Sequence, residues 1–191
     1  MSKFDHFNVI SPFYDHVFGR GDANMIIKLA DLKKDSSLLD VGGGTGRVSK
    51  RFQEVSKNVF VVDSAFRMLR ISKQKGISTI QSQSERLPFG DALFDRIIMV
   101  DAFHHVKDQQ QTLNEMWRLL APGGKIIIEE PDINNLYVKL IALGEKKLLM
   151  RSRFRKPNRI IEMCQFSKKA KAKMLCKNGI AWILIYKEPI S

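Results

Sequence analysis

A chain of 191 residues can bury roughly 70% of the surface it exposes when unfolded, so a single domain without metal or disulfide staples is expected. No stretch approaches the ~20 apolar residues of a membrane span, and MSKFDHFNVI lacks the apolar run of a signal peptide, which makes a soluble cytoplasmic protein the expectation. The net charge is +12, and residues 145–177 alone carry 12 Lys/Arg against 2 Asp/Glu. Such a segment could face nucleic acid or an anionic membrane surface. Only Phe154 and Phe166 interleave with its cations, fewer aromatics than a base-stacking surface uses, and a solvated basic face is an equal reading. Cys164 and Cys176 are too few and too far apart for a disulfide framework or a zinc site, and both are expected as buried thiols.

In chain order, Ser11-Pro12 opens a helix that carries Phe13, Tyr14, Val17 and Phe18 as a lid. SLLDV reads as the first strand and feeds the helix GRVSKRFQEV. NVFVVD is the second strand, followed by the helix SAFRMLRISKQK, which Gly76 stops. A short third strand lies at ISTIQ. DRIIMVDA is the fourth, its Ile-Ile-Met-Val run suited to burial on both faces. Asp108 caps the helix QQQTLNEMWRLL, whose Leu113, Met116, Trp117 and Leu120 recur at helical spacing and belong to the core. APGG ends that helix, and KIIIEEP is the fifth strand. After a helix near PNRIIEMCQ comes KAKAKMLCKNGIAWILIYKE, an antiparallel hairpin turning at Asn178-Gly179 with a lysine-guarded edge strand. Alternation of strand and helix predicts an α/β fold with a mostly parallel sheet covered on both faces.

The chemistry concentrates in LLDVGGGTGRVS. Glycines after a buried strand let a ligand approach the main chain more closely than any Cβ allows. A triphosphate loop would end in Gly-Lys-Ser/Thr, but Gly46 is followed by Arg47 and Val48. The dinucleotide fingerprint would need glycine where Arg47 stands. What remains is Gly42-x-Gly44-x-Gly46, with Asp40 two residues upstream. Asp63 ends the second strand, 21 residues beyond Gly42, where an acid can accept both hydroxyls of a ribose. A nucleoside without phosphate equipment points to S-adenosylmethionine, which has ribose and adenine, a sulfonium in place of pyrophosphate, and an amino-acid tail.

With these residues in place the chain resembles a class I S-adenosylmethionine-dependent methyltransferase, similar to the quinone and small-molecule methyltransferases with a type-11 domain. The resemblance runs from about Ser11 to Glu188. LLDVGGGTG resembles the family's first motif, with Gly43 where many members have cysteine. VVDSAFRML resembles the second, QSQSERLPFGDALFDRIIMVDAFHHV the run from adenine pocket through fourth strand, and LLAPGGKIIIEEP the lead into the fifth. The resemblance implies a Rossmann-like, doubly wound seven-stranded sheet and S-adenosyl-L-methionine as cofactor. It implies as cofactor contacts Tyr14, Asp40, Gly42, Gly43, Gly44, Gly46, Asp63, Ser64, Gln83, Ser84 and Asp101. Gln83-Ser84 departs from the Asp-Ala of many relatives, although an amide oxygen can still accept from the adenine amino group.

Candidate bases near the strand ends are Asp101, His104, His105, Glu130, Tyr14 and His16, and none forms a motif of its own. The resemblance implies that Tyr14 closes over the methionine end and that Asp101 to His105 line the methyl-transfer face; packing or capping of the loop is the alternative for the His pair. Nucleobase amino-methyltransferases carry Asn/Asp-Pro-Pro-Tyr/Phe where this chain has Asp101-Ala102-Phe103-His104, and cytosine C5 enzymes need a Pro-Cys there. Asp101, Asp132 and Asn134 only loosely echo metal-dependent catechol-type enzymes, and no metal is expected. The expected layout is lid helices at 1–35, a cofactor-binding core at 36–132, a basic cover at 133–167 and the hairpin at 168–191. The expected activity is methyl transfer to a small, flat or lipophilic acceptor, with no integral membrane contact. The alternatives are an RNA or protein methyltransferase using 145–177 and a cofactor-binding protein without catalysis.

Overall fold

In the computed structural model the described residues are 23–134, 153–164 and 170–189. The expected lid helix with Tyr14 and His16, and much of the basic cover, lie outside them. The described chain forms α1 (Ala23–Ala30), β1 (Leu38–Val41), α2 (Ser49–Phe52), β2 (Val59–Asp63), α3 (Phe66–Gln74), β3 (Ser78–Gln81) and β4 (Phe94–Val100). A 3-10 turn (Phe103–His105), α4 (Gln109–Leu119), β5 (Leu120–Pro131), α5 (Pro157–Met163), β6 (Ala170–Lys177) and β7 (Ile180–Lys187) follow. The strands make a seven-stranded sheet in the order β3-β2-β1-β4-β5-β7-β6. β1 to β5 run parallel, and β7 pairs antiparallel with both β5 and β6.

Side-chain alternation along the strands divides the core into two layers. Leu39, Val41, Ile97, Met99, Ile126 and Ile128 point to the α4 and α5 side. Leu38, Val59, Ile98 and Ile127 point to the side of α1 and α2, where Ile26 and Phe52 meet them. Ile97, Ile98 and Met99 are wholly buried, as their apolar run predicts. Each such side chain contributes roughly 1.5–3 kcal/mol by leaving water, so truncating Phe52 to Ala should cost about 3–5 kcal/mol.

Several local signals operate as the sequence predicts. The Asp108 side chain accepts from Gln111 N at 3.0 Å and caps α4. Asn178 and Gly179 have φ of 52° and 76°, the positive pair that a two-residue type I′ hairpin needs. β6 forms the sheet edge, with Lys171 and Lys173 exposed.

Three expectations are corrected. Regular helix after the glycine loop is confined to Ser49–Phe52, and the residues to Ser56 close as turns. APGG does not separate α4 from β5, because the strand begins at Leu120 and the register jumps from Phe94↔Leu120 to Arg96↔Lys125. Residues 121–124 therefore form a bulge, where a Cβ on Gly124 would meet Ala121 O at 2.7 Å. Finally, Cys164 is buried but Cys176 is exposed, because it lies on the free edge strand.

Candidate active site

The carboxyl ends of β1, β2 and β4 open on one cavity, at the point where the strand order turns from β1 toward β2 on one side and β4 on the other. This topological switch point is where open α/β sheets bind ligands. Asp40, Gly42, Gly43 and Gly44 line it from the first loop. Asp63 and Ser64 line it from the end of β2, and Gln83 and Ser84 from the loop after β3. Asp101 and His105 close the β4 side. Gly46 and His104 are not among the lining residues.

The glycines have separable reasons. Gly42 has φ of +71°, and a Cβ there would lie 2.8 Å from Ala102 Cβ, so the loop runs tight against the end of β4. At Gly43 a Cβ would come within 2.6 Å of the Asp40 carboxyl group, and glycine leaves that carboxyl its place beneath the loop. Gly44, with φ of +53°, faces Met68 Sδ and Asp63 Oδ2 at ordinary contact distances. Gly46 serves packing: with φ of +70°, its Cβ would strike Ile77 Cδ1 and Ser72 Oγ at 2.5 Å.

Asp40 is wholly enclosed. Its Oδ2 accepts from Ser49 Oγ at 2.6 Å, while Oδ1 is buried without a hydrogen-bond partner among the described residues. Burial pushes its carboxyl up to about 7; the Ser49 bond pulls it back, nearby Asp63 raises it and Arg47 lowers it. A buried, partnerless carboxylate oxygen costs stability unless something cationic or protic meets it. Asp63 is oriented instead by backbone, with Oδ2 accepting from Gly44 N at 2.9 Å and Oδ1 from Ala65 N at 2.8 Å.

The loop after β3 is pinned from α4. Arg118 donates to the carbonyls of Leu87 and Phe89 and to Asp91, and Glu115 accepts from Leu87 N. Phe60, Phe89 and Phe94 pack edge to face at 5.0–6.3 Å and fasten the same loop to the sheet. The Ser84 hydroxyl lies 3.1 Å from Thr112 Oγ1 and 3.2 Å from Glu85 Oε2, so it is turned toward α4.

On the β4 side, Asp101 holds the left-handed φ of 53°. Non-glycine residues rarely adopt it outside functional or strained loops. Behind it His104 and Glu130 form a buried pair, Nδ1 to Oε2 at 2.7 Å, while Glu130 Oε1 accepts from Phe103 N at 2.9 Å. The His104 ring lies between His105, at 3.9 Å between centroids, and Phe154, stacked at 4.2 Å. Burial and the adjoining His104 push His105 down to about 3, so its imidazole is neutral at physiological pH.

Sequence reasoning missed Gln109. This buried side chain donates from Nε2 to Phe103 O at 3.1 Å and Arg153 O at 2.9 Å, and its Oε1 accepts from Arg155 Nε. Arg153 N donates to His104 O at 2.6 Å and its guanidinium to Lys107 O at 3.0 Å. Residues 153–155 of the basic segment are thereby fixed over the 3-10 turn. No group of three or more His, Cys, Asp or Glu among the described residues is arranged to hold a metal ion, and Asp132 Oδ1 is engaged by Asn134.

Residues 39–128 match a methyltransferase domain family. Over 139 residues the chain is 31% identical to a ubiquinone/menaquinone biosynthesis C-methyltransferase of Wigglesworthia glossinidia brevipalpis, an alignment covering 67% of this chain and 54% of the relative. The corresponding protein of Pectobacterium carotovorum subsp. carotovorum is 28% identical over 140 residues, covering 68% and 55%. The chain thus spans about half the length of the curated relatives it matches. A methyltransferase from Thermotoga maritima superposes with a TM-score of 0.75 at 20% identity, covering 95% of this chain and 98% of that one. The cyclase SpnF superposes with a TM-score of 0.76 at 13% identity, covering 97% and 94%. These two likenesses speak for the fold alone, since one architecture hosts more than one reaction. Motif order, domain match and fold agree that residues 39–128 are a methyltransferase domain of the class I, S-adenosylmethionine-dependent kind.

Proposed function

We propose that the chain transfers the methyl group of S-adenosylmethionine to a small, flat or lipophilic acceptor. The observation that carries this reading is the buried Asp40 Oδ1, without a hydrogen-bond partner among the described residues, in the same cavity as Asp63. The residues fit the cofactor's two polar ends. Asp40 would hold the cationic amino group of the methionine tail, Asp63 the ribose hydroxyls, and the Gln83 amide the adenine edge. Gly44 would leave its backbone open beside Asp63, with Met68 beneath. When bound, the cofactor supplies a methyl group already activated by its sulfonium. The protein has then to align the acceptor and exclude water, an effect worth ~7–11 kcal/mol of the barrier.

The acceptor side is suited to a flat molecule. His105 and Ala102 present an imidazole and a methyl group to the cavity, backed by the stacked His104 and Phe154 rings. Neutral His105 can accept a hydrogen bond from an acceptor hydroxyl, and its low basicity suits orientation better than proton removal. Asp101 is the carboxylate at hand for a proton. His104, tied to Glu130 behind His105, is a positioning residue. The quinone C-methyltransferases among the relatives support an aromatic acceptor. An RNA or protein substrate is less well supported, because Arg153 and Arg155 of the basic segment donate inward to Lys107 O and Gln109.

Incubation with methyl-labelled S-adenosylmethionine and cell extract, split into small-molecule, RNA and protein fractions, tests the proposal. Label is expected in the small-molecule fraction. Label confined to RNA or protein would overturn the acceptor class, and binding without turnover would reduce the chain to a cofactor-binding protein.

A further inference from the structure

β6 is a basic edge that also exposes aliphatic surface. On one face Lys171, Lys173, Leu175 and Lys177 follow one another, opposite Tyr186, Leu184, Trp182 and Ile180 of β7. All four are exposed, Leu175 by 47%, and Met174 on the reverse face by 36%. The strand contains no acidic residue. Lys171 pairs with Glu188 at 2.6 Å, and Lys173 lies 5.9 Å from the centre of the Tyr186 ring. Lysines alone are the ordinary guard of a free edge. Adjacent exposed Met174 and Leu175 are not, because apolar side chains on the outer edge of a sheet invite association.

The place of this tip matters. Asp132 N donates to Gly179 O at 2.8 Å, and Pro131 pairs with Ile180, so the β6–β7 turn lies at the carboxyl end of the parallel strands. That is also the end on which the cavity opens. β5 and β7 separate β6 from β4, a distance of roughly 15 Å at the usual strand spacing.

We propose that the β6 edge docks on an anionic phospholipid bilayer, with Leu175 and Met174 entering the headgroup region and Lys171, Lys173 and Lys177 facing the lipid phosphates. Charge complementarity selects an anionic partner, and the exposed aliphatic and thioether tips select one with an apolar interior. A single-stranded nucleic acid would reward exposed aromatic rings, and β6 has none. Among the described residues no helix is long and apolar enough to cross a membrane, so the contact is peripheral. The inference stands whatever the acceptor is, since it needs only the edge strand.

Sedimentation with vesicles of phosphatidylglycerol and phosphatidylcholine in equal parts, against pure phosphatidylcholine, tests it, with polyuridylic acid as a parallel ligand. The wild-type chain should partition to the anionic vesicles and not to the neutral ones. Each lysine near such a surface is worth roughly a five-fold change in partition, so Lys173→Glu with Lys177→Glu should cost at least ten-fold. Leu175→Ser should weaken partition while leaving its salt dependence intact. S-adenosylhomocysteine affinity and the circular dichroism spectrum should be unchanged in all variants, which separates this surface from the cofactor site. Equal partition to both vesicle types, or undiminished partition of the charge-reversed variant, would overturn the proposal. So would polyuridylic acid binding that the charge reversal abolishes and Leu175→Ser leaves untouched, since that marks a nucleic-acid edge.

Discussion

Replacing Asp40 with Asn probes the cofactor assignment through its pH dependence. In the free protein the Asp40 carboxyl is pushed up to about 7, chiefly by burial, with Oδ1 unsatisfied. A cationic amino group placed against it holds the carboxylate and lowers its pKa, so binding releases a proton at pH values below about 7. Cofactor affinity should therefore rise with pH and level off above 7. For a bound pKa well below 6, affinity for S-adenosylhomocysteine should fall roughly eight-fold between pH 7.5 and pH 6, a little over 1 kcal/mol. His105, held near 3, does not titrate in that window. Asp40→Asn should bind about ten- to a hundred-fold more weakly at pH 7.5, the scale of a hydrogen bond to a charged group, and show no slope over the window. Stability moves the other way. A carboxyl raised above its ordinary 3.8 stabilises the fold while protonated, and that contribution is lost as pH rises from about 4 to about 7. Without ligand, Asp40→Asn should therefore melt higher than wild type at pH 8. Calorimetric titration at four pH values reads the first effect and thermal melting the second. Wild-type affinity that is flat from pH 6 to 7.5, or an Asn variant with wild-type affinity and slope, would refute the pairing.

Other expectations are as specific. Asp63→Ala should weaken S-adenosylhomocysteine by roughly 1.5–3 kcal/mol with the fold retained, as read by calorimetry and circular dichroism. Gly46→Ala should lower the melting temperature markedly, because its Cβ meets Ile77 and Ser72 at 2.5 Å. Gly44→Ala should cost the fold only the left-handed backbone penalty of about 1–2 kcal/mol while impairing cofactor binding. Gln109→Ala, or Arg153→Ala with Arg155→Ala, should speed hydrogen exchange at the Arg153 amide and disturb acceptor handling more than cofactor affinity.

What the sequence reveals follows from the range of the interactions involved. The glycine loop, Asp63 at a strand end, the Asp108 cap and the Asn178-Gly179 turn are set by neighbours a few residues away, and all are legible. Gln109 is not, because its task depends on Phe103 and on Arg153, 44 residues distant. Glu130 and His104 can be picked out as candidates, but their pairing across 26 residues cannot. Gly46 sits within the same short motif as Gly44, yet one faces α3 packing and the other Asp63, a distinction that exists only once the loop is folded. Cys176 misleads for a different reason. Its burial is expected from the number and spacing of the cysteines alone, whereas the edge strand that the alternating lysines mark leaves it exposed.

The most direct test of the central claim is titration of the chain with S-adenosylhomocysteine, NAD and ATP under identical conditions. A cavity with Asp40 and Asp63, whose glycine loop lacks the triphosphate and dinucleotide phosphate motifs, predicts micromolar-range affinity for S-adenosylhomocysteine and none for the other two. Tighter binding of NAD or ATP than of S-adenosylhomocysteine would contradict it.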